Sequence, residues 1–492
     1  MKAVDVTTDV LVIGGGSAGC HAALRAHELG ASVQMVVKGK MGRSGATPLA
    51  SCLGAAPQMR GSYETLTFLK RIYASISSIM PLPVPSSYDN AMRKMLEFHH
   101  WLVDQDYFLD FGLWAAKRFF PSLEEKGIYV LRDEKGEPVV PPGSFGYYIL
   151  HSHGMTGYQY GETKRKEVLS RNIDIMEEAT AFSLLQSDEG EVTGAMVLDY
   201  KTGRLYAISA KATILATGHT NWLSTRSTGT REMAANGLAM AARVGAQLTN
   251  LEMQWFHASD NTEPESWMRL HHYPNPLTGT DHRVAMVNNT GERYMTVEDY
   301  ETVMPYTIQM KKLYEQVQKG KASWDGGSYA DFSLVEPELL KKYQYHWEFC
   351  DKLGKDMSKD RFECGITWHM SAGGIRANTD DMTTNVPRLL IAGAVGGHML
   401  GALTLAAFDG EIAGAEAVRC AQRMGPVANN RDQIAASERR LGTWLCDADQ
   451  ARNDLGVSPI TVKRRIRDIA WNNMMYAKTD ERLRVALSEL GA

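Results

Sequence analysis

Residues 9–20 read DVLVIGGGSAGC, and the order of apolar run, glycines and small residues decides how the rest of the chain is understood. VLVI is a short apolar run of strand type, and Gly14, Gly16 and Gly19 complete G-x-G-x-x-G. SAGCHAALRAHEL then carries small and apolar residues at helical spacing until Gly30, and SVQMVV follows as a second strand. In a strand–loop–helix–strand unit, such glycines let backbone N–H groups at a helix N-terminus approach a pyrophosphate. One position departs from the rule. The second strand ends Val36-Val37-Lys38, where an acidic residue would hold a ribose hydroxyl. That disfavours a simple NAD-binding domain and favours a more specialised dinucleotide site.

The whole chain sets the limits on this reading. At 492 residues it predicts two or three structural units. With 44% hydrophobic and 22% charged residues and a net charge of −4, it has the composition of a globular protein without a nucleic-acid footprint. The densest basic run, KRRIR at 463–467, reads as a solvated helix face. The opening MKAVDVTTDVLVIGGG lacks a basic region followed by an apolar run, and no stretch of about 18 uncharged apolar residues occurs. A cytoplasmic protein without a membrane span is the expectation. The six cysteines show no C-x-x-C spacing, so an iron–sulfur cluster, if electrons need one, is expected on another polypeptide.

Three further stretches extend the pattern. KGKMGRSGAT (38–47) follows the second strand, and AKATILATGH (210–219) precedes GLAMAARVGAQLTNLEMQWFH (237–257). HMSAGGIRANTD (369–380) precedes PRLLIAGAVGGHMLGALTLAAFDGEIAGAEA (387–417). In this order and spacing they resemble the flavoprotein family of succinate dehydrogenase, fumarate reductase, L-aspartate oxidase and the adenylylsulfate reductase alpha subunit.

The resemblance implies an α/β (α+β overall) architecture. A split Rossmann-type FAD-binding domain would span residues 1–235 and 358–430, with a capping domain inserted at 236–357 and a helical C-terminal segment at 431–492. It implies FAD held by Gly14, Gly16, Gly19, Lys38, Ser44, Gly45, the Ala216-Thr217-Gly218 turn, Gly393, Leu403 and Thr404. It also accounts for the missing acid, since one branch of the family has Ser-Lys at the place of Val37-Lys38. The helix from Leu403 would point its N-terminus at the flavin ring, where its dipole favours the anionic reduced form.

For the substrate, the family pattern L-E-F-x-Q-F-H corresponds to LEMQWFH, ending in His257, and the histidine before the Gly-Gly-Ile turn is His369. Both would hydrogen-bond a substrate carboxylate or carbonyl oxygen. Three departures follow. Where some members carry R-S-H-T and bind FAD through that histidine, this chain reads Arg43-Ser44-Gly45-Ala46, so the FAD is expected to be non-covalent. Where fumarate reducers carry a clamping arginine, this chain reads Gly397-His398-Met399, which cannot imitate a bidentate guanidinium–carboxylate pair. Where the proton-donating arginine is expected after GERY, none follows Arg293. Tyr306, or Arg283 beside His282, are the candidates in its place.

His257, His369 and His398 are then expected to line a pocket for a mono-anion, a phenolic ketone or another polar unsaturated substrate, with no metal. Residues 99–130 predict a core-facing helix pair with Trp114 as a candidate pocket wall, and 190–218 predicts a strand meander turning at Lys201-Thr202-Gly203. The leading function is FAD-dependent oxidoreduction, with hydride passing between flavin N5 and a C–C or C=C bond next to an electron-withdrawing group. An adenylylsulfate-reductase-like flavoprotein with an iron–sulfur partner is a second reading. A third is an electron-relay flavoprotein served by an iron–sulfur or flavin partner, without its own organic substrate. An oligomer is compatible with all three.

Overall fold

The VLVI run becomes the centre of a parallel sheet because the chain pairs it on both sides. The computed structural model describes residues 2–50, 53–54, 101–130, 132, 136, 146–147, 156–261, 284–300, 305–341, 344–398, 402–425, 429–444 and 458–491. Strand β1 (Val4–Ile13) lies between β2 (Val33–Val37) and a later strand, and Val10, Leu11 and Val12 are fully buried. Burial on both faces is what a continuous apolar run, rather than an alternating one, specifies.

The other elements of this layer are α1 (Ser17–Glu28), α2 (Thr156–Ser170), β3 (Asp174–Glu177), β4 (Ala179–Gln186), β5 (Val192–Asp199) and β6 (Leu205–Leu215). They are followed by α3 (Asn236–Arg243), β7 (Leu389–Ile391) and α4 (Leu403–Met424). The strand order is β3–β2–β1–β6–β5–β4. β3, β2, β1 and β6 run parallel, and β4, β5 and β6 form an antiparallel meander. β6 changes neighbour along its length, pairing with β5 up to Ser209 and with β7, in parallel, from Thr213 to Leu215. The meander turns where the sequence predicts it: the Asp199 carboxylate accepts from the amides of Lys201 and Thr202, and Gly203 adopts φ +67°.

Helices α1 and α4 cross at backbone distance. A Cβ on Gly410 would stand 2.4 Å from the Ala18 carbonyl oxygen, and one on Gly414 2.5 Å from that of Ala22. Helix α5 (Arg431–Trp444) closes the meander, burying Ile434 and Leu441 against Leu185, Met196, Leu205 and Ala207. The predicted C-terminal helices are completed by α6 (Pro459–Met474) and α7 (Asp480–Gly491).

The chain divides into two compact units, one of Met1–Ala50, Gly157–Trp255 and Trp368–Ala492, the other of Ser51–Thr156 and Phe256–Thr367. This differs from the domain limits expected from sequence. The stretch 236–255 stays with the sheet unit because Gly237 packs on Thr217, where an added Cβ would lie 2.0 Å from Oγ1. Residues 51–156 cluster with the cap stretch rather than with the FAD sheet, and the C-terminal helices belong to the sheet unit.

An antiparallel sheet, ordered Gln254–Asp260, Arg361–Ser371, Ser328–Asp331, Ala285–Val287, falls mostly within the second unit, which takes its first two strands from Phe256 and up to Thr367. The aromatic stretch of this unit is helical from Gln105 to Trp114, capped by Asp104, whose carboxylate accepts from the amides of Asp106 and Tyr107.

Candidate active site

The first loop has room for a dinucleotide only because its glycines are bare. Gly14 sits at φ +130°, and a Cβ there would lie 2.1 Å from the Ala216 carbonyl oxygen. A Cβ on Gly19 would lie 2.1 Å from the carbonyl oxygen of Gly14. Gly16 is the N-cap of α1 without any side-chain cap, which leaves that helix end to bind an anion.

Around it the KGKMGRSGAT stretch folds back. Gly42 donates to the Gly15 carbonyl at 2.9 Å, and Thr47 Oγ1 accepts from Ser17 N at 2.9 Å. Glycine pairing presses the same stretch on α2, since a Cβ on Gly161 would meet the Gly42 carbonyl oxygen at 2.1 Å. Ser44 donates to the Lys40 carbonyl within this turn, and Gly45 holds φ +74°. Arg43 is paired with Glu162.

Lys38 ends β2, and its ammonium donates to Asn236 Oδ1 at 3.1 Å, joining the ribose-side edge to the first residue of α3. Burial holds this ammonium below its usual pKa, with the Glu232 carboxylate opposing the shift. Sequence reasoning missed Asn236; its one signal is the N-G pair heading an amphipathic helix.

The Ala216-Thr217-Gly218 turn leaves the end of β6, with Ala216 N bound to the Ile13 carbonyl at 2.8 Å and Gly218 at φ +75°. Gly393 ends β7 at φ +74°, beside Ala18 and Ala406, and donates to Asp409 Oδ2 at 2.8 Å. Leu403 is half-buried at the first position of α4, and its carbonyl accepts from Ser17 Oγ at 2.9 Å. Thr404 is fully buried, and its Oγ1 has no partner among the described residues, so its reach towards a ligand would be through its amide.

Behind Ser17 a buried chain of polar groups braces the cradle. Tyr160 Oη lies 3.0 Å from Ser17 Oγ and 2.9 Å from His21 Nε2, and His21 Nδ1 lies 2.9 Å from Glu411 Oε1. Burial, reinforced by the charge of Lys164, pushes His21 down to about 4, against the opposing pull of the Glu411 carboxylate. His219, just past the ATG turn, is likewise held at about 4 by burial.

His369 is half-buried at the end of a strand whose residues from Cys364 to Trp368 are buried. Its ring Nδ1 is 2.9 Å from Thr228 Oγ1, and its carbonyl accepts from Asn221 Nδ2 at 2.6 Å. The Gly-Gly turn behind it allows the backbone passage expected: a Cβ on Gly373 would lie 1.8 Å from the Asn250 carbonyl oxygen, and one on Gly374 2.2 Å from that of Val395. Ile375 N donates to Val395 O, and Gly397 N to Ile375 O, both at 2.9 Å. Thr228 and Asn221, which hold the histidine, belong to no motif that single-sequence reading can see.

The remaining candidates separate. His257 is buried in the strand Gln254–Asp260 and belongs to the second unit. His398 is turned into the protein: its side chain is 7% exposed, with Nε2 3.2 Å from Asp409 Oδ2, a carboxylate with no exposure. That places the His398 ring beside α4, next to the carboxylate that also accepts from Gly393 N. Met399 and Arg283 lie outside the described residues. Tyr306 stands in the first turn of the helix Pro305–Gln318, and its side chain is likewise outside them. Trp114 stacks obliquely on Phe119 at 5.3 Å between ring centroids. Among the described residues, no three His, Cys, Asp or Glu side chains converge as a metal site, and no helix is long and apolar enough to cross a membrane.

A bare-glycine loop at a helix N-terminus, a second glycine turn at the end of a neighbouring parallel strand and a third after β7 define a dinucleotide-binding flavoprotein. Residues 9–407 match the FAD binding domain family, and the chain belongs to that family. It is 26% identical over 495 residues to a polypeptide of the fumarate reductase (CoM/CoB) of Methanothermobacter marburgensis, covering 98% of this chain and 84% of the relative. Among solved structures, a variant of E. coli quinol fumarate reductase superposes with a TM-score of 0.76 at 19% identity, covering 100% of this chain and 82% of that one. Adenylylsulfate reductase from Archaeoglobus fulgidus gives 0.74 at 18% identity, covering 100% and 84%. The protein is an FAD-dependent oxidoreductase of the fumarate reductase and succinate dehydrogenase flavoprotein family.

Proposed function

We propose that this flavoprotein reduces a C=C bond or desaturates a C–C bond beside an electron-withdrawing group, and that its substrate is neither fumarate nor succinate. FAD, when bound, supplies hydride transfer at its N5. The chain's own contribution is to hold the cofactor in the glycine cradle and to orient the substrate's polar group.

His369 is the residue that carries this reading. Its ring is fixed at one nitrogen by Thr228 and its backbone by Asn221, the arrangement of a preoriented hydrogen-bonding group rather than a mobile surface side chain. In this reading the second ring nitrogen would meet a carbonyl or carboxylate oxygen of the substrate. The conjugated carbon is thereby made more electrophilic as negative charge develops on that oxygen. Within the second unit, His257 is the candidate for a further substrate contact, and Tyr306 or Arg283 the candidate for handling the proton.

Gly397-His398-Met399 offers no guanidinium for a second carboxylate. The inward pairing of His398 with Asp409 makes it a poor substitute. A substrate with one anionic or ketonic group fits better than a dicarboxylate. Electrons would come from a separate iron–sulfur or flavin partner. FAD would be non-covalent, because no histidine stands at Arg43-Ser44-Gly45-Ala46.

The test is stopped-flow reoxidation of the anaerobically reduced protein by a panel of enoates, enones and fumarate. The expected result is rapid reoxidation by at least one mono-functional acceptor, with fumarate slower, and a loss of at least ~10-fold in His369→Gln. Fumarate as the best acceptor, or indifference to His369→Gln, overturns the reading. Likeness to adenylylsulfate reductase supports one rival, in which sulfite rather than an enoate perturbs the flavin spectrum.

A further inference from the structure

We propose that Arg467, in the C-terminal helix α6, is a positioning residue for His369, acting through the loop of residues 221–228. The inference deepens the proposed function, because it rests on His369 being the group that meets the substrate.

The contacts form a continuous path. The Arg467 guanidinium grips the middle of the loop: Nε donates to the Ser224 carbonyl at 2.8 Å and Nη2 to the Thr225 carbonyl at 2.9 Å. Its carbon lies 4.2 Å from the centroid of the Trp222 ring, so the cation also covers an aromatic face. From there the loop runs beside the strand that carries His369 near its end. Trp368 N donates to the Arg226 carbonyl at 3.1 Å, Thr228 N donates to the Trp368 carbonyl at 3.2 Å, and Ser227 pairs with Trp368 as a parallel bridge. The two ends of the loop then hold the histidine, Asn221 by its carbonyl and Thr228 by its ring.

Every link lies within the sheet unit, and Asn221 and Ser224 are fully buried. The fork geometry matters. Two carbonyls on adjacent residues and one ring face are matched together by a planar guanidinium, whereas a lysine ammonium offers one point charge. The consequence is that a residue from the last helices of the chain would hold the His369 ring, and with it one tautomer, since whichever of Thr228 Oγ1 and Nδ1 donates, the pair persists only while the loop is held.

The experiment is NMR of the FAD-loaded protein with ¹⁵N-labelled histidine, in which ring shifts report the tautomer. It compares the unaltered protein with Arg467→Ala, Arg467→Lys and Thr228→Val, with FAD affinity measured in parallel. Expected is one dominant His369 tautomer in the unaltered protein and a mixture in both Arg467→Ala and Thr228→Val. Arg467→Lys should lie between, and the double variant Arg467→Ala/Thr228→Val should go no further than either alone. FAD dissociation constants should stay within ~2-fold throughout, because no link touches the glycine cradle.

If Arg467→Ala fails to fold, Arg467→Lys alone decides by the same shift. Unmoved His369 signals in the arginine variants, with Thr228→Val shifted, overturn the proposal and leave Arg467 as a staple for α6. Failure of the substrate reading shows separately, as enoate reoxidation that ignores His369→Gln while the tautomer still responds.

Discussion

At the scale of single residues, the cradle depends on atoms that are missing. Gly14→Ala would place a methyl group 2.1 Å from a backbone oxygen at a φ of +130°, and neither can relax without moving β6 or α1. The expected outcome is a folded protein purified without yellow colour, with FAD affinity weakened at least ~100-fold by fluorescence titration. Gly30→Ala is the control, since nothing lies within 4 Å of its Cβ and only its φ of +87° is strained. It should retain FAD with a loss of about 1 kcal/mol in stability.

The buried histidines give a pH dependence with a definite sign. His21 and His219 titrate near 4 when folded, against 6.5 for the ordinary group. Between those values the unfolded chain takes up protons that the folded chain refuses, so stability falls as pH falls from 6.5 towards 4 and is flat above. Burial outweighs the Glu411 carboxylate beside His21, which alone would have raised it. Each group contributes on the order of 3 kcal/mol across that window. Melting temperatures from pH 8 to 4.5 should show the decline, and His21→Gln should reduce it by roughly half, leaving the share of His219.

At the scale of elements, the decisive contact is α1 against α4. Glycines at 410 and 414 bring the two helices to backbone distance, beside the glycine loop that opens α1. Gly410→Ala gains about 1 kcal/mol of helix propensity, but its methyl meets the Ala18 carbonyl at 2.4 Å. Overpacking against backbone costs ~1–3 kcal/mol, so the clash wins. The variant should melt lower and gain less stability from added FAD than the unaltered protein, because the separation of the two helix ends changes. Equal stabilisation by FAD in both would remove the α1–α4 contact from the binding argument.

At the scale of the whole molecule, the fate of the flavin on unfolding is the defining property. Acid precipitation should leave the FAD in the supernatant, since the one stretch where the family attaches it offers Arg43-Ser44-Gly45-Ala46. Colour in the pellet would contradict this and restore succinate-type oxidation as a candidate. The division into two units bears on the same scale, because each is assembled from distant parts of the chain.

How much of this was legible in the sequence follows from the range of each interaction. Strand β1, helix α1, the glycine loop and the ATG turn were readable, because apolar period and glycine spacing act within about 20 residues. The meander and its Lys201-Thr202-Gly203 turn were readable for the same reason. His369 could be singled out by its Gly-Gly neighbours. Its partners could not, because Thr228 and Asn221 lie 141 and 148 residues away in sequence and reach it only when their loop lies beside its strand.

His398 shows the same limit. Its place in the chain suggested a substrate contact, but its position 3.2 Å from the Asp409 carboxylate was visible only in the folded chain. The cofactor class was thus determined by local sequence, since a pyrophosphate is bound by backbone amides that bare glycines expose. Which groups hold the His369 and His398 side chains was decided only by tertiary structure, because hydrogen bonds and buried charges select their partners by distance in space, and spacing along the chain does not record that distance.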